Sequence, residues 1–128
     1  MKIPEDLFYA KTHEWSRKEE EGKVRVGLTS HAQGQLGDVV YVELPALDTK
    51  VETGKTCAVV ESVKTAYDIY APVSGKVTEV NNNLENKPQL VNEDPYGEGW
   101  FFVIEMDDPQ QLKNLLSNKE YEELCQTK

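Results

Sequence analysis

The chain has 128 residues and a formal net charge of −9 at pH 7, with 38% hydrophobic and 29% charged residues. This length and composition are typical of one globular domain whose core needs neither disulfides nor a structural metal. The acidic balance disfavours nucleic acid and anionic membranes as partners, because phosphate binding relies on clustered Lys and Arg.

The sequence also lacks the patterns of a membrane-spanning or exported protein. Its longest apolar runs, such as 39–42 and 101–104, are far too short to span a bilayer. The N-terminal residues contain neither an apolar signal core nor an Arg-rich transit pattern. We therefore expect an unprocessed, cytoplasmic and monomeric protein.

Short apolar runs between turn-forming residues predict a mainly β protein. Val24, Val26 and Leu28 alternate with Lys, Arg and Gly, which predicts a strand with one buried face. Further apolar runs predict strands at 39–44, 57–60, 68–71, 76–80 and 100–106. Gly, Pro and Asn separate these runs, and many short strands with frequent turns are typical of a sandwich or barrel.

Two regions interrupt the β pattern and predict helices. Residues 29–36 predict a short internal helix, with Thr29 or Ser30 as its cap and Gly37 as its stop. Residues 108–126 predict C-terminal helices that pack on the sheets.

Two start signals divide the C-terminal region. Asp108 is the expected cap of the first helix, with Pro109 at the first helical position and Gln111 completing a capping box. Ser117 and Glu120 predict a second capping box. The expected apolar faces are Leu112, Leu115 and Leu116 on the first helix, and Tyr121, Leu124 and Cys125 on the second.

The cysteines and histidines predict no metal site. Cys57 and Cys125 lie in no CxxC or Cys/His spacing, so we expect two buried free thiols and no disulfide. His13 and His31 are expected to be isolated, and no zinc or haem pattern is present. No nucleophile–base pair indicates an enzyme with its own active site.

The segment 58–77 carries the most informative pattern. Two apolar runs are separated by Ser62-Val63-Lys64-Thr65, which predicts a β-hairpin with Lys64 at its tip. Glu61 and Asp68 flank the tip as acidic residues. A lysine there is exposed while the strands beneath it fix its position, which suits covalent attachment of a swinging group. A single lysine in a polar turn is nearly always a solvated charge, so this prediction depends on the surrounding pattern.

Two Gly-Lys pairs lie almost symmetrically about this lysine. Gly54 precedes Lys64 by ten residues and Gly75 follows it by eleven. We expect each glycine to mark a turn that enters a strand, as in a two-fold hairpin arrangement. Pairs of this kind also arise by chance, so they only support the hairpin.

The pattern around Lys64 resembles the lipoyl attachment signature. Its elements here are Gly54, Val59-Val60, Lys64-Thr65, Ile69 and Gly75-Lys76-Val77. Biotin-carrying relatives of this fold typically have Met-Lys-Met at the tip, whereas this chain has Val63-Lys64-Thr65. The resemblance therefore favours lipoate over biotin.

More specifically, the chain resembles the H-protein family of the glycine cleavage system over about residues 9–125. The chain departs from the family at Thr65-Ala66-Tyr67, which is bulkier than the small-residue run common there. The matching motifs include, in chain order, Tyr9-Ala10-Lys11-Thr12-His13-Glu14-Trp15, Val26-Gly27-Leu28-Thr29, Leu36-Gly37-Asp38-Val39-Val40, Val42-Glu43-Leu44-Pro45, Glu61-Ser62-Val63-Lys64, Ala71-Pro72-Val73-Ser74-Gly75 and Pro95-Tyr96-Gly97-Glu98-Gly99-Trp100.

This resemblance implies a fold and a cofactor. The expected fold is one lipoyl-carrier domain over 1–128, a barrel-sandwich hybrid of two antiparallel sheets with a hairpin core at about 23–106. Lipoate is expected in amide linkage to Lys64. The residues expected to be recognised around that lysine are Glu61, Ser62, Val63 and Thr65.

The resemblance also implies a role and partners. The protein is expected to be a non-catalytic carrier of the aminomethyl group of glycine. The expected donor is the pyridoxal-phosphate glycine decarboxylase (P protein), and the acceptor is the tetrahydrofolate-dependent aminomethyltransferase (T protein). Dihydrolipoamide dehydrogenase (L protein) is expected to reoxidise the dithiol, and lipoate-attaching enzymes to modify the chain.

We further hypothesise a cleft that receives the loaded arm. Glu14 and Asp68 are the candidates to meet its amine, with Thr12 and His13 nearby. An ordinary exposed carboxylate is the alternative interpretation of Glu14. A candidate acidic docking face, for which a solvated rim is the alternative, comprises Asp38, Glu43 and Glu61.

Two other functions stay open at this point. One is a lipoyl carrier outside glycine cleavage, or a relay that passes lipoate to other proteins. Lipoyl domains of dehydrogenase complexes usually carry Asp-Lys-Ala at the tip, which this chain lacks. The other is an unmodified interaction domain that keeps the fold.

Overall fold

A computed structural model describes residues 3–126 and confirms the mainly β prediction. No helix in this range is long and apolar enough to cross a membrane. The strands are β1 Phe8–Tyr9, β2 Glu14–Lys18, β3 Lys23–Leu28, β4 Val39–Glu43, β5 Lys50–Val51, β6 Thr56–Ser62, β7 Ala66–Tyr70, β8 Gly75–Val80 and β9 Phe102–Met106. The helices are α1 Ser30–Leu36, α2 Asn83–Asn86, α3 Leu90–Glu93, the 3₁₀ helix Pro109–Asn114 and α4 Asn118–Gln126.

The strands form two antiparallel sheets, as predicted. The larger sheet has the order β1-β2-β3-β9-β8-β5, and the smaller has the order β4-β6-β7. The main core joins both sheets, with Val26 and Ile104 from the larger and Val60 and Ile69 from the smaller. A second buried cluster, which packs α4 against β1 and β2, comprises Leu7, Tyr9, Trp15, Tyr121 and Cys125.

Strand β4 turns two large side chains towards solvent. Its register with β6 shifts between Val39 and Tyr41. Val40 is 53% exposed and Tyr41 is 49% exposed, while Val39 and Val42 are buried. An extra residue in one strand reorients its side chains in this way. The strand predicted at 39–44 therefore presents apolar surface next to the hairpin.

Helix α1 begins and ends where the sequence predicts. The Thr29 hydroxyl oxygen accepts a hydrogen bond from the Ala32 N–H at 3.2 Å. At the other end, the Gly37 N–H donates to the Gln33 carbonyl oxygen at 3.0 Å, with φ of 78° at Gly37. Glycine adopts this left-handed conformation without a steric penalty.

The first C-terminal helix differs from its prediction. Asp108 caps it as expected, accepting from the Gln110 N–H at 3.0 Å, but the turn is a 3₁₀ helix. The capping box predicted at Gln111 is wrong, because that side chain accepts from the Ser74 N–H at 2.7 Å and donates to the Ser74 carbonyl oxygen at 3.0 Å. Leu116 lies beyond the helix and pairs with Tyr9, so the predicted three-leucine helical face is also wrong.

The second C-terminal start signal is confirmed. The Ser117 N–H donates to Glu120 Oε1 at 2.9 Å, and the Glu120 N–H donates to Ser117 Oγ at 3.2 Å. These reciprocal bonds satisfy two backbone donors at the start of α4. On the helix, Tyr121 and Cys125 face the core.

Three strands and two short helices, β1, β2, β5, α2 and α3, were not predicted from the sequence. Strand β2 contains a single apolar residue, Trp15, so its sequence shows no alternation, although Glu14 and Ser16 are buried as well. Strands β1 and β5 have two residues each, and α2 and α3 have four, which is too short for a periodic signal.

The two symmetric glycines have different roles. Gly54 lies in a turn with φ of 83°, and its N–H donates to the Ala71 carbonyl oxygen at 2.9 Å. Gly75 is the first residue of β8 and lies opposite Met106. A Cβ at Gly75 would clash with the Glu105 carbonyl oxygen, so close backbone approach explains that glycine.

Candidate functional site

Lys64 is exposed at the tip of the hairpin formed by β6 and β7. The Ser62 N–H donates to the Thr65 carbonyl oxygen at 2.8 Å and closes the turn. The Ser62 hydroxyl oxygen accepts from the N–H groups of Lys64 at 3.2 Å and Thr65 at 3.1 Å. In the described part of the chain, no hydrogen bond or ion pair engages the Lys64 ammonium group. The turn thus fixes the lysine backbone and leaves its amine accessible.

The short segment between α1 and β4 anchors this turn from the side. The Val63 N–H donates to the Asp38 carbonyl oxygen at 3.1 Å, just before β4 begins. A Cβ at Gly37 would lie 3.5 Å from Lys64 Cε, so the aliphatic part of the lysine passes over the end of α1. The backbone bond to Asp38 holds the turn, and the outer methylene groups of the lysine lie over Gly37, while the residue as a whole stays exposed.

The register of β6 and β7 fixes the position of the tip. Ala58 lies opposite Ile69 in the hairpin register, and Val60 lies opposite Tyr67. Ala58, Val60 and Ile69 are all buried. A slip of one residue would bring the buried face to the surface, so core packing fixes the register and hence the position of Lys64.

Glu14 lies at the start of β2 with a fully buried side chain, 0% exposed. Its Oε1 accepts from the Thr12 hydroxyl, and its Oε2 accepts from the Tyr70 N–H at 3.0 Å. Burial raises the pKa of Glu14 to about 7, although these two hydrogen bonds oppose the shift. The alternative interpretation, an ordinary exposed carboxylate, is therefore wrong.

Two hairpin side chains, Cys57 and Tyr67, lie near this carboxyl group, in addition to Thr12 of the loop before β2. Burial raises the pKa of Cys57 to about 12, with the nearby Glu14 carboxylate as a second cause. Burial and then the same carboxylate raise the pKa of Tyr67 to about 12. The Tyr67 hydroxyl donates to the Thr12 carbonyl oxygen at 3.0 Å, which links the hairpin to the loop. No sequence pattern indicates that Tyr67 and Tyr70 would contact the loop and the carboxyl group of Glu14.

The other residues of the hypothesised cleft occupy different environments. Thr12 is exposed and contacts Glu14 directly. Asp68 is exposed and lies opposite Val59 in the hairpin. His13 is buried, with φ of 77°, and its Nδ1 lies 2.6 Å from the Tyr121 hydroxyl oxygen. The structure thus brings Thr12 and Glu14 together, while the His13 ring lies against α4.

The two histidines are not isolated, which corrects the sequence prediction. The ring centroids of His13 and His31 are 4.7 Å apart. One ligand atom from each histidine and the Cys125 sulfur all lie within 4.8 Å of one another. The prediction of free thiols is confirmed, although Cys57 is half-buried and not buried. Spacing along the chain could not reveal this cluster, because it joins a loop, α1 and α4.

The surface beside the tip combines apolar and acidic residues. Val63 is 72% exposed and lies near the outward-facing Val40 and Tyr41 of β4. The three carboxylates predicted for docking, Asp38, Glu43 and Glu61, are exposed on β4 and β6 or directly before β4. Exposed apolar and acidic residues therefore both lie on the strands that lead to the tip.

Comparison with known proteins gives one consistent family. The family model described as glycine cleavage H-protein matches residues 7–128. The chain is 56% identical over 124 residues to the glycine cleavage system H proteins of Xanthomonas euvesicatoria pv. vesicatoria and Xanthomonas axonopodis pv. citri, covering 97% of this chain and 95% of each relative. The crystal structure of a glycine cleavage system H protein from Mycobacterium marinum superposes with a TM-score of 0.86 at 40% identity, covering 93% of this chain and 95% of that one.

Proposed function

The chain belongs to the glycine cleavage H-protein family, and on that basis we propose that Lys64 carries lipoate as an amide on its side-chain nitrogen. The family is the non-catalytic lipoyl carrier of the glycine cleavage system. The observation that carries the assignment to Lys64 is its exposed amine on a turn whose backbone is held by Ser62 and Asp38. An attaching enzyme needs this combination, because it must reach the amine and find it in a constant position.

Each residue around the tip has a proposed part in attachment. Ser62 holds the N–H groups of Lys64 and Thr65. Glu61, Val63 and Thr65 present exposed side chains that an attaching enzyme reads on either side of the lysine. Amide formation removes the lysine charge, and the aliphatic stem already lies over Gly37, where no side chain obstructs it.

The protein itself is a carrier and not an enzyme. When bound, lipoate supplies the disulfide–dithiol pair that takes up the aminomethyl group of glycine and is later reoxidised. We propose that the hairpin presents this group in turn to the P, T and L proteins. Tethering to a fixed tip raises the effective concentration of the group at each docked partner.

We propose that the buried carboxyl group of Glu14 receives the amine of the loaded arm. Tyr67, which bonds the loop beside Glu14, is three residues from Lys64, or about 10 Å along the strand. With a pKa of about 7, the carboxyl group is partly protonated at neutral pH and ionises fully when a cation approaches. Thr12 covers it and must move to admit the amine, and Asp68 provides a charge at the rim.

Partner enzymes are proposed to dock on the mixed surface beside the tip. Val63 and Tyr41 supply exposed apolar area, and the surrounding carboxylates supply charge for steering. We also propose that the protein acts as a single-domain monomer in the cytoplasm, where thiols stay reduced. The free state of Cys57 and Cys125 agrees with that compartment.

Intact mass measurement tests the attachment site. Protein from cells supplied with lipoate is expected to gain one lipoyl increment, which Lys64→Arg removes. Lys55→Arg is the matched control, because Lys55 is also exposed next to a turn of the same hairpin region and is expected to keep the increment. A missing increment in active lipoylation conditions would leave an unmodified interaction domain as the best explanation.

A second assay separates glycine cleavage from a lipoate relay. Lipoylated protein mixed with purified P protein and glycine is expected to support release of carbon dioxide, whereas the Lys64→Arg variant is not. Full lipoylation without carbon dioxide release would instead indicate a relay or another lipoyl-dependent system.

A further inference from the structure

His13, His31 and Cys125 form a cluster on the side of the fold covered by α4. We propose that this cluster binds one borderline-soft divalent transition metal ion, with Zn²⁺ as the best-suited ion. The proposal concerns a site separate from Lys64 and does not depend on lipoate attachment.

Three distant segments bring the ligands together. His13 precedes β2, His31 lies in the first turn of α1, and Cys125 lies near the end of α4. One candidate ligand atom from each lies within 4.8 Å of the other two. Around a tetrahedral zinc, two ligand atoms lie closer to each other than 4.8 Å, because each lies only about 2.0 Å (nitrogen) or about 2.3 Å (sulfur) from the metal. The three ligand atoms would therefore have to move closer together, by side-chain rotation, to share one ion.

The nitrogen of His31 gives an independent indication of a ligand. His31 Nε2 is buried and makes no hydrogen bond within the described residues. A buried polar atom without a partner is unfavourable, and such atoms in folded proteins call for an explanation. A metal ion would satisfy this nitrogen, and the neutral imidazole would not need to lose a proton to bind it.

The surroundings of His13 resemble those of a metal ligand. Its Nδ1 lies 2.6 Å from the Tyr121 hydroxyl oxygen, which in turn lies 2.8 Å from Thr29 Oγ1. Ligation through the other ring nitrogen, Nε2, would leave this contact in place, with Nδ1–H donating to the Tyr121 hydroxyl oxygen. Hydrogen bonds of this kind orient imidazole ligands and fix their tautomer.

The donor set selects the class of metal. Two imidazoles and one thiolate suit Zn²⁺ and neighbouring transition metals, whereas Mg²⁺ and Ca²⁺ prefer oxygen ligands. Cys125 is buried, forms no disulfide and hydrogen-bonds with the Tyr121 hydroxyl, and on binding a metal its thiol would release a proton. Three protein ligands leave a fourth position for water.

A metal at this position would join α4 to the loop that precedes Glu14. Cys125 and Tyr121 lie one turn apart on α4, and His13 is adjacent to Glu14 in the chain. The ion would therefore stabilise the docking of α4 and the position of β2. We expect the metal-bound protein to unfold at a higher temperature than the metal-free protein, because a ligand that binds the folded state stabilises it.

Metal titration of the full-length, reduced and chelator-treated protein tests the proposal. With Co²⁺ as the spectroscopic probe, we expect one ion per chain and a thiolate-to-cobalt charge-transfer absorption. Cys125→Ser is expected to abolish that absorption, whereas the matched control Cys57→Ser is expected to keep it. In calorimetry, His31→Gln is expected to weaken Zn²⁺ binding by about tenfold or more, and Mg²⁺ is expected not to bind.

Circular dichroism identifies any variant that fails to fold. If Cys125→Ser fails to fold, the Zn²⁺ affinity of His31→Gln decides the question. The absence of charge-transfer absorption in the wild type would overturn the proposal. So would retention of that absorption in folded Cys125→Ser, or Zn²⁺ affinity unchanged in folded His31→Gln.

Discussion

At the hairpin tip, Val63 is 72% exposed and Lys64 extends into solvent, whereas Glu14, which accepts a hydrogen bond from Tyr70 of the same hairpin, is 0% exposed. The tip keeps an ordinary amine accessible and fixes only its backbone. The Glu14 pocket instead changes the chemistry of its group, raising a carboxyl pKa to about 7 by burial. One hairpin therefore does two things: its tip keeps the Lys64 amine accessible, and its base helps to enclose the carboxyl group of Glu14.

The largest expected effect is on the free energy of unfolding, to which the buried base of the hairpin should contribute far more than its tip. Ile69→Ala, in the buried face below the tip, is expected to lower the free energy of unfolding by about 2–5 kcal/mol through loss of packing. Val63→Ala is expected to change it by less than about 0.5 kcal/mol, since that side chain is mostly in solvent. Urea denaturation of both variants measures the difference. Equal losses would mean that the tip is part of the cooperative core.

The pH dependence of stability tests the Glu14 pocket directly. Folding raises its pKa from 4.5 to about 7, so the folded protein holds more protons than the unfolded chain between these values. This group therefore contributes its full stabilisation below pH 4.5. As the pH rises from 4.5 through 7, the free energy of unfolding falls by about 3 kcal/mol. Glu14→Gln, which cannot ionise, is expected to be the more stable protein at pH 8 and similar to wild type at pH 4.5.

Thermal unfolding across this pH range checks that expectation. Asp68→Asn is the matched control, because Asp68 is exposed on the same hairpin and its removal should leave the pH profile almost parallel to that of wild type. A Glu14→Gln profile as steep as the wild-type profile would contradict the buried environment of the carboxyl group.

The same contrast explains what the sequence could predict. The hairpin and Lys64 were predictable because the turn is local, with Ser62 bonding residues two and three positions away. The environment of Glu14 depends on Tyr70, 56 residues away, and the cluster at His13 depends on Tyr121, 108 residues away. No local pattern encodes such contacts, so Glu14 was singled out by the family resemblance, while its burial and its partners were not predicted.

Local patterns also failed where a side chain had a tertiary partner. Gln111 fits a capping box in sequence, but its amide satisfies both backbone groups of Ser74 instead. Ser117 and Glu120 have the same pattern and do form the box. Capping signals are therefore reliable where the side chain faces solvent, and less so where a strand offers unpaired backbone groups nearby.

A smaller effect is expected at Gly37, where the end of α1 meets the lysine stem. Gly37→Ala places a side chain on a residue with φ of 78°, so we expect a loss of about 1–2 kcal/mol in stability, whereas the new Cβ would only touch Lys64 Cε at van der Waals distance. Gly34→Ala is the matched control in the same helix, because a Cβ there meets no atom within 4 Å. It is expected to stabilise the protein by about 0.5–1 kcal/mol. Urea denaturation distinguishes the opposite signs, and destabilisation by both would show that the helix tolerates no added side chain.

At Ser62 in the tip, we expect a small effect on stability and a larger effect on lipoate attachment. Ser62→Ala removes the acceptor for the N–H groups of Lys64 and Thr65, which water replaces at low cost, so stability should fall by less than about 1 kcal/mol. The rate of lipoate attachment should fall several-fold, because the enzyme then meets a turn in several conformations. Ser62→Thr keeps the hydroxyl and is expected to restore most of the rate, as followed by intact mass over time. An unchanged rate in Ser62→Ala would mean that exposure of Lys64, without fixation of its backbone, is sufficient for attachment.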